Sequence, residues 1–243
     1  MPLKVQIANL LRRGGYELQS VSSIPSDFDD EARGIVEQAR PYSMTRPASL
    51  FSIVEAVRYI EKNRIDGSIV ECGVYRGGCM LTAALTMDAM GKSGRDLYLF
   101  DTFEGMTAPT SEDGAVAGKL FTIKDGPQSI ACRSPLDQVR QNMSMSQYPA
   151  ERIHFVKGPV EDTLPAQAPE RIALLRLDTD WYQSTKHELV HLFPRLVTGG
   201  VLLIDDYGHW EGVRKACDEY FGERGIHMLL NRVDISVRSG IKP

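Results

Sequence analysis

The stretch that decides the fold spans residues 172–208 and reads IALLRLDTDWYQSTKHELVHLFPRLVTGGVLLIDDYG. Residues 172–177 and 201–204 are short apolar runs of strand length. Neither run alternates between apolar and polar residues, which is typical of strands covered by helices on both faces of a parallel sheet. The residues between the two runs predict a helix, so the whole stretch predicts one βαβ unit.

The boundaries of this helix are predicted from cap and stop residues. Ser184 or Thr185 can act as the N-cap, because a hydroxyl oxygen accepts a hydrogen bond from a backbone N–H of the first turn. We expect the helix to run to about Leu196 and to be stopped by Gly199 and Gly200. A right-handed crossover then places the two strands side by side or nearly so.

Each predicted strand is followed by carboxylates, Asp178 and Asp180 after the first, and Asp205 and Asp206 after the second. The carboxyl ends of parallel strands share one edge of the sheet, where open α/β folds bind ligands. Carboxylates that converge there repel one another, so the cluster predicts a bound cation. All-oxygen ligands favour Mg²⁺, Mn²⁺ or Ca²⁺. The alternative is that one or two of these acids serve only as helix N-caps.

The composition is that of an ordinary globular protein, with 42% hydrophobic and 25% charged residues among 243. This length fits one large α/β domain, or a core with a small N-terminal addition. The net charge of −4 and the lack of a basic cluster argue against nucleic acid as the main partner. Because the sequence has neither a secretory signal nor an apolar window long enough to span a membrane, we expect a cytoplasmic protein without a membrane partner. Its 4 cysteines form no CxxC pair and predict reduced thiols.

The first 43 residues carry few structural signals. We expect a short helix over residues 5–11, a polar loop over 20–30 and a helix over 31–39. Such an N-terminal extension, 1–43, is expected to form a lid or a contact in a homo-oligomer, ahead of the main domain at 44–243. Apolar residues between 50 and 60 then recur at helical spacing and predict an amphipathic helix that packs on the core.

A glycine-rich turn follows the first predicted strand, at residues 69–70. It includes Glu71, Gly73, Gly77 and Gly78 and leads into a predicted helix over 79–90. Such a turn lets a ligand approach the backbone and exposes the N–H groups of the helix to negative charge. Tyr75 stands where the dinucleotide fingerprint GxGxxG needs its second glycine, so that fingerprint is not met. A purely structural turn is the alternative.

Acidic residues also close the next two predicted strands. Asp101 ends the strand over 96–100, where a carboxylate can accept hydrogen bonds from ribose hydroxyls, or can act only as a cap. After the strand over 153–157, we expect a cofactor base to lie against the backbone of Gly158 and Val160, with Glu161 or Asp162 alongside.

The remaining segments complete a doubly wound, mostly parallel sheet with an antiparallel hairpin at one edge. Residues 107–129 predict a long loop that acts as a lid. Helices are predicted over 136–143 and 212–221, and the closing hairpin is predicted from strands over 227–230 and 235–237.

The order of these motifs resembles the macrocin O-methyltransferase (TylF-type) family, which are Mg²⁺-dependent sugar O-methyltransferases of the class I, S-adenosylmethionine-dependent type. The resemblance covers about residues 44–221, while the first 43 match no family motif. It rests on MTRPASLFSIVEAVRYI, VECGVYRGG, LFDTFEGM, GPVEDTLP, LRLDTDWYQST and GGVLLIDDYGHWEGVRKACDEYF. Of these motifs, the last three together are highly specific.

The resemblance implies a role for each group of residues. Glu71, Gly73, Gly77 and Gly78 would hold the methionine end of S-adenosylmethionine, with Tyr75 in the same loop, and Asp101 would bind the ribose. Asp178, Asp205 and Asp206 would bind Mg²⁺. The acceptor would be a small-molecule sugar or glycoside, as in natural product biosynthesis.

The chemistry of methyl transfer fits these residues. A sugar hydroxyl is a poor nucleophile while protonated, so a nearby cation and a carboxylate base are needed. Asp178 is our first candidate for this base and Asp180 the second. His209 could contact the acceptor or be a partly exposed structural residue. Trp181 and Tyr182 could stack on a sugar or pack in the core.

Other functions explain less of the sequence. A nicotinamide dehydrogenase would need the missing GxGxxG fingerprint. A DxD glycosyltransferase would leave Asp205, Asp206 and the glycine turn unexplained, and a non-catalytic binding module would need a damaged site. The runner-up is a catechol-like small-molecule O-methyltransferase.

Overall fold

A seven-stranded sheet with the order β3-β2-β1-β4-β5-β7-β6 forms the centre of the protein in a computed structural model, which describes residues 6, 7, 10, 11, 13, 14, 24–123 and 131–243. Strands β1 to β5 run parallel, β7 pairs antiparallel with β5, and β6 pairs antiparallel with β7. The strands are β1 Ser68–Cys72, β2 Leu97–Asp101, β3 Ile153–Lys157, β4 Ile172–Leu177, β5 Leu196–Ile204, β6 Asn231–Arg232 and β7 Arg238–Ile241. The predicted fold class, with its antiparallel edge, is confirmed.

Helices cover both faces of this sheet. They are α1 Asp30–Ala39, α2 Pro47–Lys62, α3 Gly78–Ala89, α4 Gly114–Phe121, α5 Leu136–Met143, α6 Val160–Thr163, α7 Tyr182–Leu192 and α8 Glu211–Glu223. Helices α1 to α3 pack on one face, where Leu50 and Leu81 join one buried cluster. Helices α7 and α8 pack on the other face, where Leu189 and Tyr220 join a second cluster. Every residue of β4 is buried, as its predominantly apolar run predicts.

The helix between β4 and β5 begins and ends earlier than predicted. Its N-cap is Trp181, and Ser184 and Thr185 lie buried inside the helix. The carboxylate of Asp113, from a distant segment, accepts a 2.6 Å hydrogen bond from the first backbone N–H of the helix, at Tyr182, so no local hydroxyl is needed there.

The two glycines predicted to stop that helix are part of a strand instead. Helix α7 ends at Leu192 and a 3-10 turn, Phe193–Arg195, follows it. Gly199 and Gly200 lie within β5. A Cβ atom on Gly200 would come within 2.8 Å of the carbonyl oxygen of Val197, so glycine is required by close backbone packing rather than by a helix stop.

The segment predicted as a long loop over 107–129 contains regular structure. A 3-10 turn, Ser111–Asp113, leads directly into α4. Thr110 and Asp113 form a reciprocal capping box, a local signal of a helix start that the prediction missed. Residues 124–129 of the predicted loop lie outside the described residues.

The closing hairpin is present, but its strands lie further along the chain than predicted. The strand-forming residues are those of β6 and β7, rather than 227–230 and 235–237. Residues 234–237 form a turn instead, because Asp234 Oδ1 accepts hydrogen bonds from the backbone N–H groups of Ser236 and Val237.

Several predictions about the whole chain stay predictions, namely the division at residue 43, the homo-oligomer and the cytoplasmic location. Within the predicted helix over 5–11, the described residues 6, 7, 10 and 11 are helical. Within the predicted loop over 20–30, residues 24–29 are non-helical and residue 30 begins α1, while 20–23 lie outside the described residues. None of the helices in the described part of the chain is long and apolar enough to cross a membrane. All four cysteines are free thiols, at Cys72, Cys79, Cys132 and Cys217.

Helix α7 carries a fully buried acid, Glu188, whose exposure is 0%. Neither of its carboxyl oxygens has a hydrogen-bond partner of good geometry among the described residues. Burial raises the pKa of Glu188 well above its ordinary value, since a charged carboxylate loses its hydration there. The protonated, neutral form is therefore favoured in the folded protein.

The unfolding free energy of the Glu188→Gln variant, relative to that of the wild type, should increase as the pH rises. In the unfolded chain this acid loses its proton near pH 4, while the folded state retains it to higher pH. Between those two pKa values the wild-type stability falls by up to about 1.4 kcal/mol per pH unit, and the Glu188→Gln variant, whose amide has no proton to lose, avoids this loss. Urea unfolding of both proteins from about pH 5 to pH 8 measures the difference, with the exposed Glu37→Gln as the control. A difference that does not grow with pH would contradict this assignment.

Candidate active site

A cavity of about 450 Å³ lies at the carboxyl edge of the parallel strands. It is lined by the turn after β1, the ends of β2, β4 and β5, and the turn over 234–237. Most residues predicted to act in a site contribute to this cavity: Glu71, Gly73, Tyr75, Gly78, Asp101, Gly158, Val160, Glu161, Asp178, Asp180, Asp205 and Asp206. Gly77 is not among the lining residues, because it packs against Val139 and Met143 at the start of α3.

The strand register explains why residues so distant in sequence meet at this edge. Cys72 at the end of β1 pairs with Leu177 at the end of β4, which in turn pairs with Ile204 at the end of β5. Asp178 and Asp205, the next residues after β4 and β5, therefore lie side by side. The residues that follow β1, β4 and β5 therefore lie close together at the carboxyl edge of the sheet.

The turn after β1 requires glycine at Gly73. Its φ of +82° is in the left-handed region, and a Cβ there would lie 2.0 Å from the carbonyl oxygen of Asp178. Gly73 thus lets the turn approach the acidic end of β4. Tyr75, in the same turn, has a φ of +51°, which is uncommon for a residue with a side chain.

Asp101 holds this turn in place. Its Oδ2 accepts hydrogen bonds from the backbone N–H groups of Val74 at 2.7 Å and Tyr75 at 3.0 Å. Its Oδ1 accepts another from Phe103 at 2.7 Å. Thr102 Oγ1 lies 3.4 Å from Oδ1, but it donates its one proton to a backbone carbonyl at 2.7 Å. Since a carboxylate has about four acceptor positions, Asp101 can therefore still accept a bond from a ligand hydroxyl. The turn and the predicted ribose acceptor therefore form one preorganised wall of the cavity.

Arg176 is a buried cation beneath the acidic end of the cavity and was missed by the sequence analysis. Its guanidinium donates to Glu71 Oε1 at 2.7 Å and to Asp178 Oδ2 at 2.6 Å. It also donates to Asp205 and, at 3.2 Å, to Thr45 Oγ1. Burial opposes its charge, but Asp178 and Asp205 outweigh that effect and keep the pKa of Arg176 well above its ordinary value. A lone arginine within an otherwise apolar strand was the available signal, because a buried guanidinium needs acidic partners.

Glu71 lies at the floor of the cavity and is 1% exposed. One of its oxygens accepts the bond from Arg176, whereas Oε2 has no partner among the described residues. Burial raises the pKa of Glu71 to about 7, partly offset by Arg176. Its main contact in the protein is thus structural, and its predicted role towards the methionine end of a cofactor stays a prediction.

Three carboxylates above Arg176 form a compact acidic cluster of Asp178, Asp205 and Asp206. One ligand oxygen from each lies within 4.8 Å of the others. Burial and the neighbouring acids raise the pKa of Asp178 well above its ordinary value, although Arg176 lowers it in part. Burial and Asp205 likewise raise the pKa of Asp206. The donor set is all oxygen and carries uncompensated negative charge, so it fits a hard divalent cation.

Asp180 lies beside this cluster but outside the set of three. Its backbone has a φ of +67°, a conformation that costs energy for a residue other than glycine. Trp210 Nε1 donates a 2.8 Å hydrogen bond to its Oδ1. Burial and the nearby Asp206 raise the pKa of Asp180 well above its ordinary value. Asp180 is thus a strained, buried acid that lines the cavity.

The aromatic residues are divided between the cavity and the core. Trp210 and His209 line the cavity. Trp181 is 2% exposed and packs in the core, as one of the two sequence alternatives predicted. Tyr182 lies away from the lining and donates its hydroxyl to Glu219. Other lining residues that the sequence analysis did not single out include Ser43, Met44, Thr45, Arg46, Met106, Cys132 and Ile235.

Replacing Arg176 with Met should cost about 3–5 kcal/mol of unfolding free energy, because it leaves buried carboxylates without their cation. Adding Glu71→Gln should recover part of that loss, since it removes one of those charges. Arg58→Met is the matched control, because Arg58 also pairs with several acids, Asp29, Glu31 and Glu55, but these are about half exposed. Chemical denaturation should show a much smaller effect for Arg58→Met. Equal losses for both arginines would contradict the role of Arg176.

Comparison with known proteins identifies the family to which the chain belongs. The family model described as macrocin-O-methyltransferase (TylF) matches residues 8–238. One relative is an enzyme from Streptomyces olivaceus named 8-demethyl-8-(2,3-dimethoxy-alpha-L-rhamnosyl)-tetracenomycin-C 4'-O-methyltransferase. It is 30% identical to this chain, and the match covers 96% of this chain and 87% of the relative. Mycinamicin III 3''-O-methyltransferase from Micromonospora griseorubida is 28% identical over 85% of this chain and 82% of its own.

A solved structure shows the same fold. The O-methyltransferase NovP superposes with a TM-score of 0.75 at 24% identity, and the match covers 98% of this chain and 97% of NovP. Because the family model matches nearly the whole described chain, the family is established: this chain belongs to the macrocin O-methyltransferase (TylF) family.

Proposed function

We propose that this protein transfers the methyl group of S-adenosylmethionine to a hydroxyl of a sugar on a glycosylated natural product, with the help of a divalent cation. The observation that carries the proposal is the three-carboxylate cluster in the same cavity as the glycine turn and Asp101. The relatives named above methylate a rhamnosyl tetracenomycin and mycinamicin III, which supports a glycoside acceptor.

The cofactor would be held by the turn after β1 and by the ends of β2 and β3. Gly73, Tyr75 and Gly78 line this part of the cavity, and Asp101 offers an acceptor position for a ribose hydroxyl. Gly158, Val160 and Glu161 would border its base. S-adenosylmethionine supplies a methyl group on a sulfonium; transfer forms a C–O bond, breaks the C–S bond and leaves S-adenosylhomocysteine.

The cation would be held by Asp178, Asp205 and Asp206, and Mg²⁺ suits their oxygens. A bound cation would lower the pKa of an acceptor hydroxyl and orient it. Arg176 supports this role, since it fixes one oxygen of Asp178 and one of Asp205. Two of the three ligands are therefore held in place before any cation binds.

The proton of the acceptor hydroxyl must pass to a carboxylate, and Asp180 is better suited than Asp178. Asp178 already bonds to Arg176 and belongs to the cation cluster. Asp180 lines the same cavity beside the cluster and is not one of its three ligands, so its carboxylate can take the proton. The sequence analysis named Asp178 as the first candidate for the base, whereas we now favour Asp180, its second candidate.

The test is methyl transfer from S-adenosylmethionine to a panel of glycosides, followed by mass spectrometry with and without a chelator. Transfer should stop with chelator and return with Mg²⁺ or Mn²⁺. Asp206→Asn should weaken Mg²⁺ binding, measured by calorimetry, by roughly 10- to 100-fold and leave the affinity for S-adenosylhomocysteine nearly unchanged. Asp218→Asn, a change of an exposed acid on α8, is the matched control. Undiminished transfer in excess chelator would contradict the cation, and no binding of S-adenosylhomocysteine would contradict the whole proposal.

A further inference from the structure

The chain contains 2 tryptophans, and they lie together beside the cavity. Trp181 and Trp210 are 2% and 7% exposed, and their ring centroids are 5.3 Å apart at an interplanar angle of 55°. Each indole N–H donates a hydrogen bond, but to different parts of the protein. The pair therefore joins two structures that are distant in sequence.

On one side, Trp181 holds the segment 107–121. Its Nε1 donates a 2.8 Å hydrogen bond to the carbonyl oxygen of Thr107. The backbone N–H of the next residue, Tyr182, donates to Asp113 of the same segment. Gly212 makes room for this contact, because a Cβ there would lie 2.1 Å from Asp113 Oδ1. Segment 107–121 is thus fixed to the N-terminal end of α7.

On the other side, Trp210 holds Asp180. Its Nε1 donates a 2.8 Å hydrogen bond to one carboxylate oxygen of that residue. Asp180 has a strained backbone, and such a conformation persists only where the surroundings determine it. Asp180 is thus connected to both tryptophans: Trp210 donates a hydrogen bond to its side chain, and Trp181 is the next residue in the chain. The carboxylate also contacts Asp206, so its orientation depends on that contact and on Trp210, whose ring packs on Trp181.

We propose that Trp210 is a positioning residue that acts through Asp180, holding its carboxylate in the orientation needed to accept the acceptor proton. Trp181, fixed to Thr107, supports the ring of Trp210. The inference rests on the proposed function, in which Asp180 is the base. It explains why a cavity lined by acids has a buried indole N–H directed at only one of them.

The first test is Trp210→Phe, which keeps an aromatic ring but removes the N–H donor together with one ring of the indole. We expect kcat to fall by roughly 10- to 100-fold, because a reacting group that is misplaced by about 1 Å loses rate of that order. KM for the glycoside and the affinity for S-adenosylhomocysteine should stay nearly unchanged. Trp181→Phe should lower kcat less, since the bond to Asp180 is retained.

A control separates this role from simple packing. Phe193 is 3% exposed and packs on Tyr220 and Phe221, away from the cavity. Phe193→Leu should lower the melting temperature without changing the kcat of the folded enzyme. A Trp210→Phe variant that behaves in the same way would overturn the inference.

The closing experiment is a double-mutant cycle with Asp180→Asn. If Trp210 acts through Asp180, then adding Trp210→Phe to Asp180→Asn should cause no further loss of kcat. Independent, multiplicative losses would overturn the inference while leaving the proposed base in place. A normal kcat for Asp180→Asn would instead overturn the base and, with it, this inference. Wild-type enzyme that transfers no methyl group to any glycoside would contradict the proposed function itself.

Discussion

The burial of one guanidinium among three carboxylates is the constraint on which the site depends. Arg176 lies inside β4 and bonds to Glu71 of β1, to Asp178 after β4 and to Asp205 after β5. Buried charges are costly unless they are paired and hydrogen-bonded, so each partner fixes the position of the others. A single positive charge cannot neutralise all of the nearby acids, and the remaining negative charge is what makes the cluster suited to a divalent cation.

The placement of the acids follows from the sequence because it depends on local patterns and on sheet geometry. Uninterrupted apolar runs predict covered parallel strands, and residues that follow such strands share one edge. This is why Asp101, Asp178 and Asp205 could be placed at one edge without a structure, and the structure brings them to one cavity. The sequence indicates that the backbone at Gly73 is closely approached by another group, but it does not indicate that this group is the backbone of Asp178.

The features that the sequence analysis missed depend on contacts between distant segments. The first N–H of α7 is capped by Asp113 rather than by a neighbouring hydroxyl, and nothing near Tyr182 in the sequence indicates this. Trp210 and Arg176 have their roles through partners that only the folded chain brings near. Local signals that were present, such as the capping box at Thr110 and the arginine in an apolar strand, could have been used.

The central claim is that Asp178, Asp205 and Asp206 form one cation site in the cofactor cavity, with Asp178 and Asp205 held in place by Arg176. The most direct measurement is the anomalous X-ray signal from crystals grown with Mn²⁺ and S-adenosylhomocysteine. The account predicts one Mn²⁺ peak at coordination distance, about 2.0–2.3 Å, from oxygens of Asp178, Asp205 and Asp206. It also predicts S-adenosylhomocysteine in the same cavity, against Gly73 and Asp101. An enzyme that is active with Mn²⁺ but has no peak at these carboxylates, or has its peak elsewhere, would contradict the account.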